Sequence, residues 1–496
     1  MELLVSVTPM MIALVAVGVM IGIVFGAIPG MTATMAVAVC LPMTYGLDLD
    51  TSLSLLLGLY VGGISGGLVP AILINIPGTP SSITTTFDGH PMAKKGEAER
   101  ALKIGIVASL CGGLFSAVVL FFFAPALADV AIKFSYVEKF LIILFALTII
   151  ASLSKRLLNG AISGVLGIWL SLVGTYDINT GGNGDIRLVP GFLEDQLING
   201  FSLLPVLIGL FGLTVILEEA GKGVPPEPVS SFRLGGAPFR FSVFRGHAGT
   251  VARASAIGTF VGLLPGIGGS AASVLAYVQQ KNLSRHPERL GTGEPEGVMA
   301  SEAANNGLTG GALIPLVSLG IPGDSTTAVM IGAFTLQGLQ LGPLFIGEHL
   351  EAWHTIMFNL LLANLVMFGV MFFAIRWVVK VIQVPKYLLY PVILMMCVVG
   401  AFSANSGVMF DVWTFFLFGL FGYFGHKVGL ESAPFIIGFI LGKDAEVYFV
   451  KSLESYGSFG IFFTKSPIAA GLWVLIALSL GYAFYQAWRN RPEAAS

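Results

Sequence analysis

Residues 66–82 read Gly-Gly-Leu-Val-Pro-Ala-Ile-Leu-Ile-Asn-Ile-Pro-Gly-Thr-Pro-Ser-Ser, and residues 311–327 read Gly-Ala-Leu-Ile-Pro-Leu-Val-Ser-Leu-Gly-Ile-Pro-Gly-Asp-Ser-Thr-Thr. Each has Gly-x-x-x-Pro, an apolar run and then Pro-Gly. Gly66, Pro70, Pro77 and Gly78 recur as Gly311, Pro315, Pro322 and Gly323, an offset of 245. Upstream, Gly26-x-x-Pro29-Gly30 recurs as Gly262-x-x-Pro265-Gly266, an offset of 236. The two patterns keep their order and differ by nine residues, which a charged insert at 281–297 accounts for. Glycine and proline also permit tight helix packing and kinks. That explains isolated glycines such as Gly209 and Gly212, but not a paired order.

The surrounding chain is built for lipid. Of 496 residues, 55% are hydrophobic and 11% are charged, with 63 glycines besides. Soluble proteins carry roughly 25% charged residues. So few charges cannot cover a soluble surface, and the chain reads as an all-α polytopic membrane protein. A net charge of −2 argues against nucleic-acid binding, which needs a basic face. Cys40, Cys111 and Cys397 lie in apolar runs without ligand spacing, so neither a disulfide framework nor a zinc site is expected. The six histidines are scattered. There is no Gly-x-x-x-x-Gly-Lys-Ser/Thr loop and no His-Glu-x-x-His pair, so ATP-driven pumping is not expected. An intramembrane enzyme stays open as an alternative, although no spacing suggests a nucleophile and base. A stand-alone channel or transporter is the other alternative.

Met1 to Pro91 holds no Lys or Arg, so the first apolar stretch does not read as a secretory signal and is expected to be retained. A membrane helix needs about 20 apolar residues. Clear candidates are 101–126, 136–153, 158–175, 201–217, 353–375, 387–404, 411–425 and 467–487. Stretches 10–43, 52–86, 249–279 and 303–340 are apolar but broken by Pro-Gly. Together they predict about twelve membrane segments. Basic residues cluster around Lys94–Lys103, Lys155–Arg156, 222–253, 281–289, Arg376–Lys386, Lys427 and Arg489–Arg491. Placing those clusters in the cytoplasm gives alternating sides and a cytoplasmic C-terminus. Stretch 249–279 is basic at both ends and enters from the cytoplasm. Stretch 10–43 lacks basic residues, precedes Asp48 and Asp50, and enters from outside. The expectation is two inverted-topology repeats, 1–218 and 249–496, with re-entrant hairpins and broken helices, joined by a cytoplasmic linker at 219–248. That organisation is the signature of secondary transporters.

A Pro-Gly break in mid-membrane frees backbone polar groups that protein, water or ligand must satisfy. Thr79-Pro80-Ser81-Ser82 follows one break and Asp324-Ser325-Thr326-Thr327 the other. Each reads as a helix start with a capping residue. Helix starts attract anions, and two facing each other would clamp a molecule with several carboxylates. Ordinary capping without a ligand is the bland reading of either motif alone. The candidate substrate-binding residues are Gly30, Thr32, Asn75, Gly78, Thr79, Pro80, Ser81, Ser82, Gly266, Gly323, Ser325, Thr326 and Thr327. No Lys or Arg lies in 1–93 or 301–375, so cations are expected to balance an anionic substrate. Oxygen ligands for Na⁺ are Asn75, Asn305, Asn306 and Asp324, with Glu302 a candidate proton carrier. The asparagines also read as simple interhelical hydrogen-bonding groups. No other cofactor or metal is expected.

Gly26-Ala-Ile-Pro-Gly-Met-Thr-Ala-Thr34, Gly58-Leu-Tyr-Val-Gly-Gly-Ile-Ser-Gly-Gly67, Ile72–Pro80 and Phe87-Asp-Gly-His-Pro91 resemble the large membrane subunit of the tripartite tricarboxylate transporter family. So do Pro265-Gly-Ile-Gly-Gly269, Pro295-Glu-Gly297, Glu302-Ala-Ala-Asn-Asn306 and Leu319-Gly-Ile-Pro-Gly-Asp324. The resemblance runs over essentially the whole chain. Ser301 stands where the family pattern leads one to expect proline, and Asn179–Gly184 is richer in glycine. The resemblance implies a bacterial inner-membrane protein with two partners, a small membrane subunit of about four helices and a periplasmic substrate-binding protein. It also implies Na⁺- or H⁺-coupled uptake of citrate or other carboxylates.

Overall fold

A computed structural model describes residues 8–154, 156–176, 178, 184–221, 238–384, 386–403 and 407–489. Most of the linker, and all but Gly184 of the glycine-rich Asn179–Gly184 stretch, lie outside the described residues. In chain order the helices begin with α1 (Pro9–Ala27), α2 (Ala33–Cys40), α3 (Leu49–Gly66), α4 (Leu68–Ile74), α5 (Thr85–Lys94) and α6 (Ala98–Ala131). Next come α7 (Tyr136–Leu153), α8 (Leu157–Ser171) and α9 (Leu203–Gly221), which includes a π-helical turn over Gly209–Leu213. The second half holds α10 (Ala248–Leu263), α11 (Gly268–Leu283), α12 (Pro295–Leu319), α13 (Ser325–Leu336) and α14 (Leu350–Phe373). It ends with α15 (Lys386–Ser403), α16 (Met409–Lys427), α17 (Ser432–Tyr456) and α18 (Pro467–Arg489). The sheet content among the described residues is one antiparallel ribbon, Gly174–Thr175 against Ile186–Arg187.

Six helices among the described residues are long and apolar enough to cross a membrane: α1, α3 continued by α4, α6, α9, α14 and α18. A seventh span results if the bent pair Ile375–Ile382 and Tyr387–Ser403 counts as one. The molecule is therefore a multi-pass, all-α membrane protein. The Pro-Gly breaks account for part of the shortfall from about twelve, since they divide 249–279 into α10 and α11 and leave α13 short, whereas 136–153, 158–175 and 411–425 carry no such break and still fall outside the tally. α2 has 8 residues, α13 has 12 and α11 has 16.

The helices sort into two compact units, and each half of the chain contributes to both. Unit 1 contains Met1–Ala128 and Val215–Gly400, and unit 2 contains Asp129–Thr214 and Ala401–Ser496. In unit 1, α1 lies against α3 and α10 against α12 with backbone touching backbone. A Cβ at Gly22 would strike the Leu59 carbonyl, one at Gly62 the Val19 carbonyl, and one at Gly66 the Ile23 carbonyl. In the other pair, Gly258 meets the Ala304 carbonyl, Gly307 that of Ser255, and Gly311 that of Thr259. Moving the α1 residue by 236 and the α3 residue by 245 turns each contact of the first set into one of the second. The breaks correspond likewise. Gly30 and Gly266 turn the hairpins at φ 94 and 76, and Asn75 and Gly320 end their helices left-handed at φ 58 and 73. A Cβ at Gly78 would enter the Gly26 carbonyl, and one at Gly323 would lie 2.5 Å from that of Gly262.

Unit 2 uses both modes: α8 and α17 touch backbone to backbone, where a Cβ at Gly438 would strike the Gly164 carbonyl and one at Gly167 the Phe435 carbonyl, whereas side chains fill the space around α7. Val137, Leu141, Phe462, Ala469 and Ile476 form a buried cluster between α7 and α18. Glu138 accepts from the Ser135 amide at 2.9 Å and the Ser466 hydroxyl at 2.5 Å, fixing the start of α7 against that of α18. The π-helical turn of α9 presents Gly209 to α16, where Thr214 donates to the Gly419 carbonyl at 3.1 Å. Arg187 of the ribbon meets Glu446 of α17 through two hydrogen bonds of 2.6 and 2.5 Å.

Candidate functional site

The buried polar groups of unit 1 gather where α3 and α12 face the two breaks. α3 presents Tyr60, Ile64 and Ser65, and α12 presents Glu302, Asn305 and Asn306. Tyr60 donates its hydroxyl to Asp324 Oδ2 at 2.9 Å. Asp324 Oδ1 accepts from the Thr327 amide at 2.7 Å and the Thr327 hydroxyl at 2.8 Å. Asp324 is thus the N-cap of α13, and both carboxylate oxygens are occupied by donors. The same end of α13 is tied to α2 through a 2.9 Å bond between the Thr34 and Thr326 hydroxyls. One turn along α3, Ser65 donates to Asn306 Oδ1 at 2.6 Å, and Asn305 Nδ2 donates to the Ile64 carbonyl at 3.4 Å. Asn305 Oδ1 is buried and has no hydrogen-bond partner among the described residues.

Across the first break the hydroxyls bond one another. Thr79 pairs with Ser81 at 3.0 Å and Ser82 donates to the Thr79 carbonyl at 2.9 Å, while the Thr79 amide donates to the Ser82 hydroxyl at 3.4 Å as part of a capping box around the short turn Pro80–Ser82. Pro80 is exposed, whereas Gly78, Thr79, Ser81 and Ser82 are buried. This turn packs on α11, where a Cβ at Gly269 would lie 2.6 Å from Ser81 Cβ and 3.1 Å from Asn305 Oδ1. Glu302, fully buried, accepts from the Thr85 hydroxyl at 2.5 Å and the Ser109 hydroxyl at 3.2 Å.

The remaining candidates are placed as follows. Thr32 caps α2 by accepting from the Met35 amide at 3.1 Å. Gly30 is exposed beside the Glu219 carboxylate. The Gly266 amide donates to the Gly323 carbonyl at 2.8 Å, joining the second hairpin to the second break. Ser325 is half-buried at the start of α13. Asn75 is exposed and closes α4, and no hydrogen bond among the described residues joins it to Asn305, Asn306 or Asp324. Asp324, Thr326 and Thr327 therefore come together, as do Ser81 and Asn305, while Asn75 stands apart from both groups.

Several of the partners are not singled out by the sequence. Tyr60 lies in the quoted Gly58–Gly67 motif, and a lone phenol in a run of small residues was the available signal. Asp88, in Phe87–Pro91, carries a different task. Its Oδ1 accepts from the amides of Gly291, Gly293 and Glu294, each at 2.8 Å, and its Oδ2 from the Tyr277 hydroxyl at 2.8 Å. That buried carboxylate ties α5 to α11 and to the loop before α12. Among the described residues, no group of three His, Cys, Asp or Glu side chains could hold a metal ion.

Buried hydroxyls, amides and carboxylates gather around two helix breaks inside a multi-pass helical membrane protein. The chain belongs to the tripartite tricarboxylate transporter TctA family, which it matches over residues 12–437. It is 35% identical over 427 residues to an uncharacterized 52.8 kDa protein of the TAR-I ttuC' 3' region of Agrobacterium vitis, covering 85% of this chain and 83% of that one. It is also 35% identical over 215 residues to an uncharacterized protein of the TAR-II ttuC' 3' region of the same organism, covering 43% of this chain and 88% of that one. No solved structure matches the chain.

Proposed function

We propose that this chain is the large membrane subunit of a binding-protein-dependent system for uptake of di- and tricarboxylates, citrate among them, driven by Na⁺ or H⁺. Its place is the bacterial inner membrane, with the C-terminus in the cytoplasm. Its partners are a small four-helix membrane subunit and a periplasmic substrate-binding protein. The carrying observation is the recurrence of the α1–α3 contacts in α10–α12 at the same two offsets, each pair leading into a Pro-Gly break. We read this as two inverted repeats enclosing a midplane site. Buried polar groups from both halves meet there, as Tyr60 with Asp324 and Ser65 with Asn306 do.

In this reading the carboxylates of the substrate are held by helix starts and hydroxyls rather than by Lys or Arg. The coupling ion is taken at the amide oxygen of Asn306 and the carboxylate of Asp324. Glu302, whose carboxylate meets two hydroxyl donors and is fully buried, is the group through which proton coupling would act. The test is uptake of labelled carboxylates by cells carrying the chain with and without its two partners, in Na⁺, in Na⁺-free buffer and under an imposed pH gradient. Accumulation that needs both partners and one of the two ion gradients is expected. Absence of accumulation by the complete system under every ion condition would overturn the reading.

A further inference from the structure

The two offsets pair the surroundings of α2 with those of α11, and the pairs are chemically unequal. At α2, Thr32 caps the helix, Tyr60 and Asp324 fill the neighbouring space with a phenol and a carboxylate, and Thr326 bonds Thr34. At α11, Gly268 stands in place of Thr32, Asn305 in place of Tyr60 and Thr79 in place of Asp324. Each replacement removes a polar group or shortens it.

Three observations describe what is left. The first turn of α11 has no side-chain cap, since Ile267 occupies the N-cap position. Nothing lies within 4 Å of the point where a side chain at Gly268 would begin, and residues 266–270 are half-exposed. Asn305 Oδ1, buried and without a partner among the described residues, stands 3.1 Å from the Cβ position of Gly269, with Ser81 packed alongside. Free N–H groups at a helix start call for an anion. A buried amide oxygen calls for a donor. A metal cation would satisfy the oxygen but oppose the positive end of the α11 dipole. One ligand satisfies both: a carboxylate with a hydroxyl on the adjacent carbon.

We propose that the first turn of α11, Ser81 and Asn305 form the substrate subsite, and that it selects 2-hydroxycarboxylates. The carboxylate accepts from the α11 amides and the Ser81 hydroxyl, and the substrate hydroxyl donates to Asn305 Oδ1. The matching place at α2 is sealed by the protein's own Asp324 and Tyr60. The carboxylate clamp is then one-sided rather than symmetric. This inference rests on the transport reading and names its substrate class.

The test is equilibrium binding to the purified full-length chain in lipid nanodiscs, with malate against succinate and citrate against tricarballylate. Each pair differs by one hydroxyl. An unsatisfied buried acceptor predicts at least about tenfold tighter binding of malate and citrate. Asn305→Ala should bring them down to the level of the hydroxyl-free probes, while Tyr60→Phe should leave the ratio intact. Equal binding within each pair by the unaltered chain, or an unchanged ratio in Asn305→Ala, would overturn the proposal, as would no binding of any probe. The unaltered chain decides the matter even where Asn305→Ala fails to fold. Partner-dependent uptake of carboxylates without hydroxyl preference would leave the transport reading standing and remove this inference alone.

Discussion

In unit 1, α1 and α3 approach until a Cβ at Gly62 would enter the Val19 carbonyl. In unit 2, α7 is separated from its neighbours by rings: Phe140 lies 5.3 Å from both Phe449 and Phe462, and Phe463 stacks on Trp473 at 4.7 Å. Both solutions bury a membrane helix, but they tolerate change differently. Close backbone contact admits no added atom and fixes one register. A layer of rings loses contact area when trimmed and can repack. In unit 1 the backbone-packed pairs include α3 and α12, which bring polar groups from both halves of the chain together. The rigid packing accordingly accompanies the chemistry.

The strongest way to break the contrast is to enlarge a glycine. Gly62→Leu should cost about 3 kcal/mol or more, because neither backbone can withdraw. Expected is loss of a monodisperse peak in fluorescence-detected size exclusion. Phe449→Leu in unit 2 should cost about 1–2 kcal/mol and lower the melting temperature by a few degrees. Similar melting of the two variants would mean that backbone contact is not what holds α1 to α3.

Next in size is Asp88→Asn. The carboxylate accepts four hydrogen bonds, three of them at one oxygen. An amide must leave one acceptor short or turn its NH₂ toward a donor, at about 1–3 kcal/mol. The loss should be local, with faster hydrogen exchange at the Gly291–Glu294 amides. Unchanged exchange there would show that the loop is held by something else. Tyr60→Phe is smaller. It removes one of three bonds to Asp324 and should cost about 1 kcal/mol, read as a modest fall in melting temperature. A larger loss would mean that the phenol supports more than the cap of α13.

These residues also mark how far the sequence could be read. The turns at Gly30 and Gly266 and the caps at Thr32 and Asp324 are local events, so Pro-Gly and a small polar residue announce them. The pairing of Tyr60 with Asp324, 264 residues apart, has no local signal, because only the packing of α3 beside the second break brings it about. Asn75 illustrates a residue type with two uses. As an amide in an apolar run it reads as a ligand, but its left-handed φ of 58 also makes it the stop of α4, where the other break has Gly320. The span count followed the same logic. Length predicts a crossing only for an unbroken helix: the turn at Gly266 leaves α10 and α11 with 16 residues each, whereas α8 stops at 15 residues without any such break. Nor does the linear order of two halves reveal that each divides between two compact units.

The smallest effect belongs to Arg187 and Glu446 in unit 2. Their fork is bidentate, and Arg187 Nε also donates to the Leu172 carbonyl at 2.9 Å. Yet the side chains are 28% and 21% exposed, so water screens the pair. Glu446→Gln should cost about 1 kcal/mol or less. Arg187→Lys should cost a similar amount, since an ammonium cannot make the fork. The difference between wild type and Glu446→Gln in melting temperature should shrink on going from low salt to about 1 M, where the Debye length falls to roughly 3 Å. A loss that persists in high salt would show that the contact works by shape and hydrogen bonding, as the glycine contacts of unit 1 do. The line between the two kinds of contact would then run between close fit and loose fit, not between backbone and side chain.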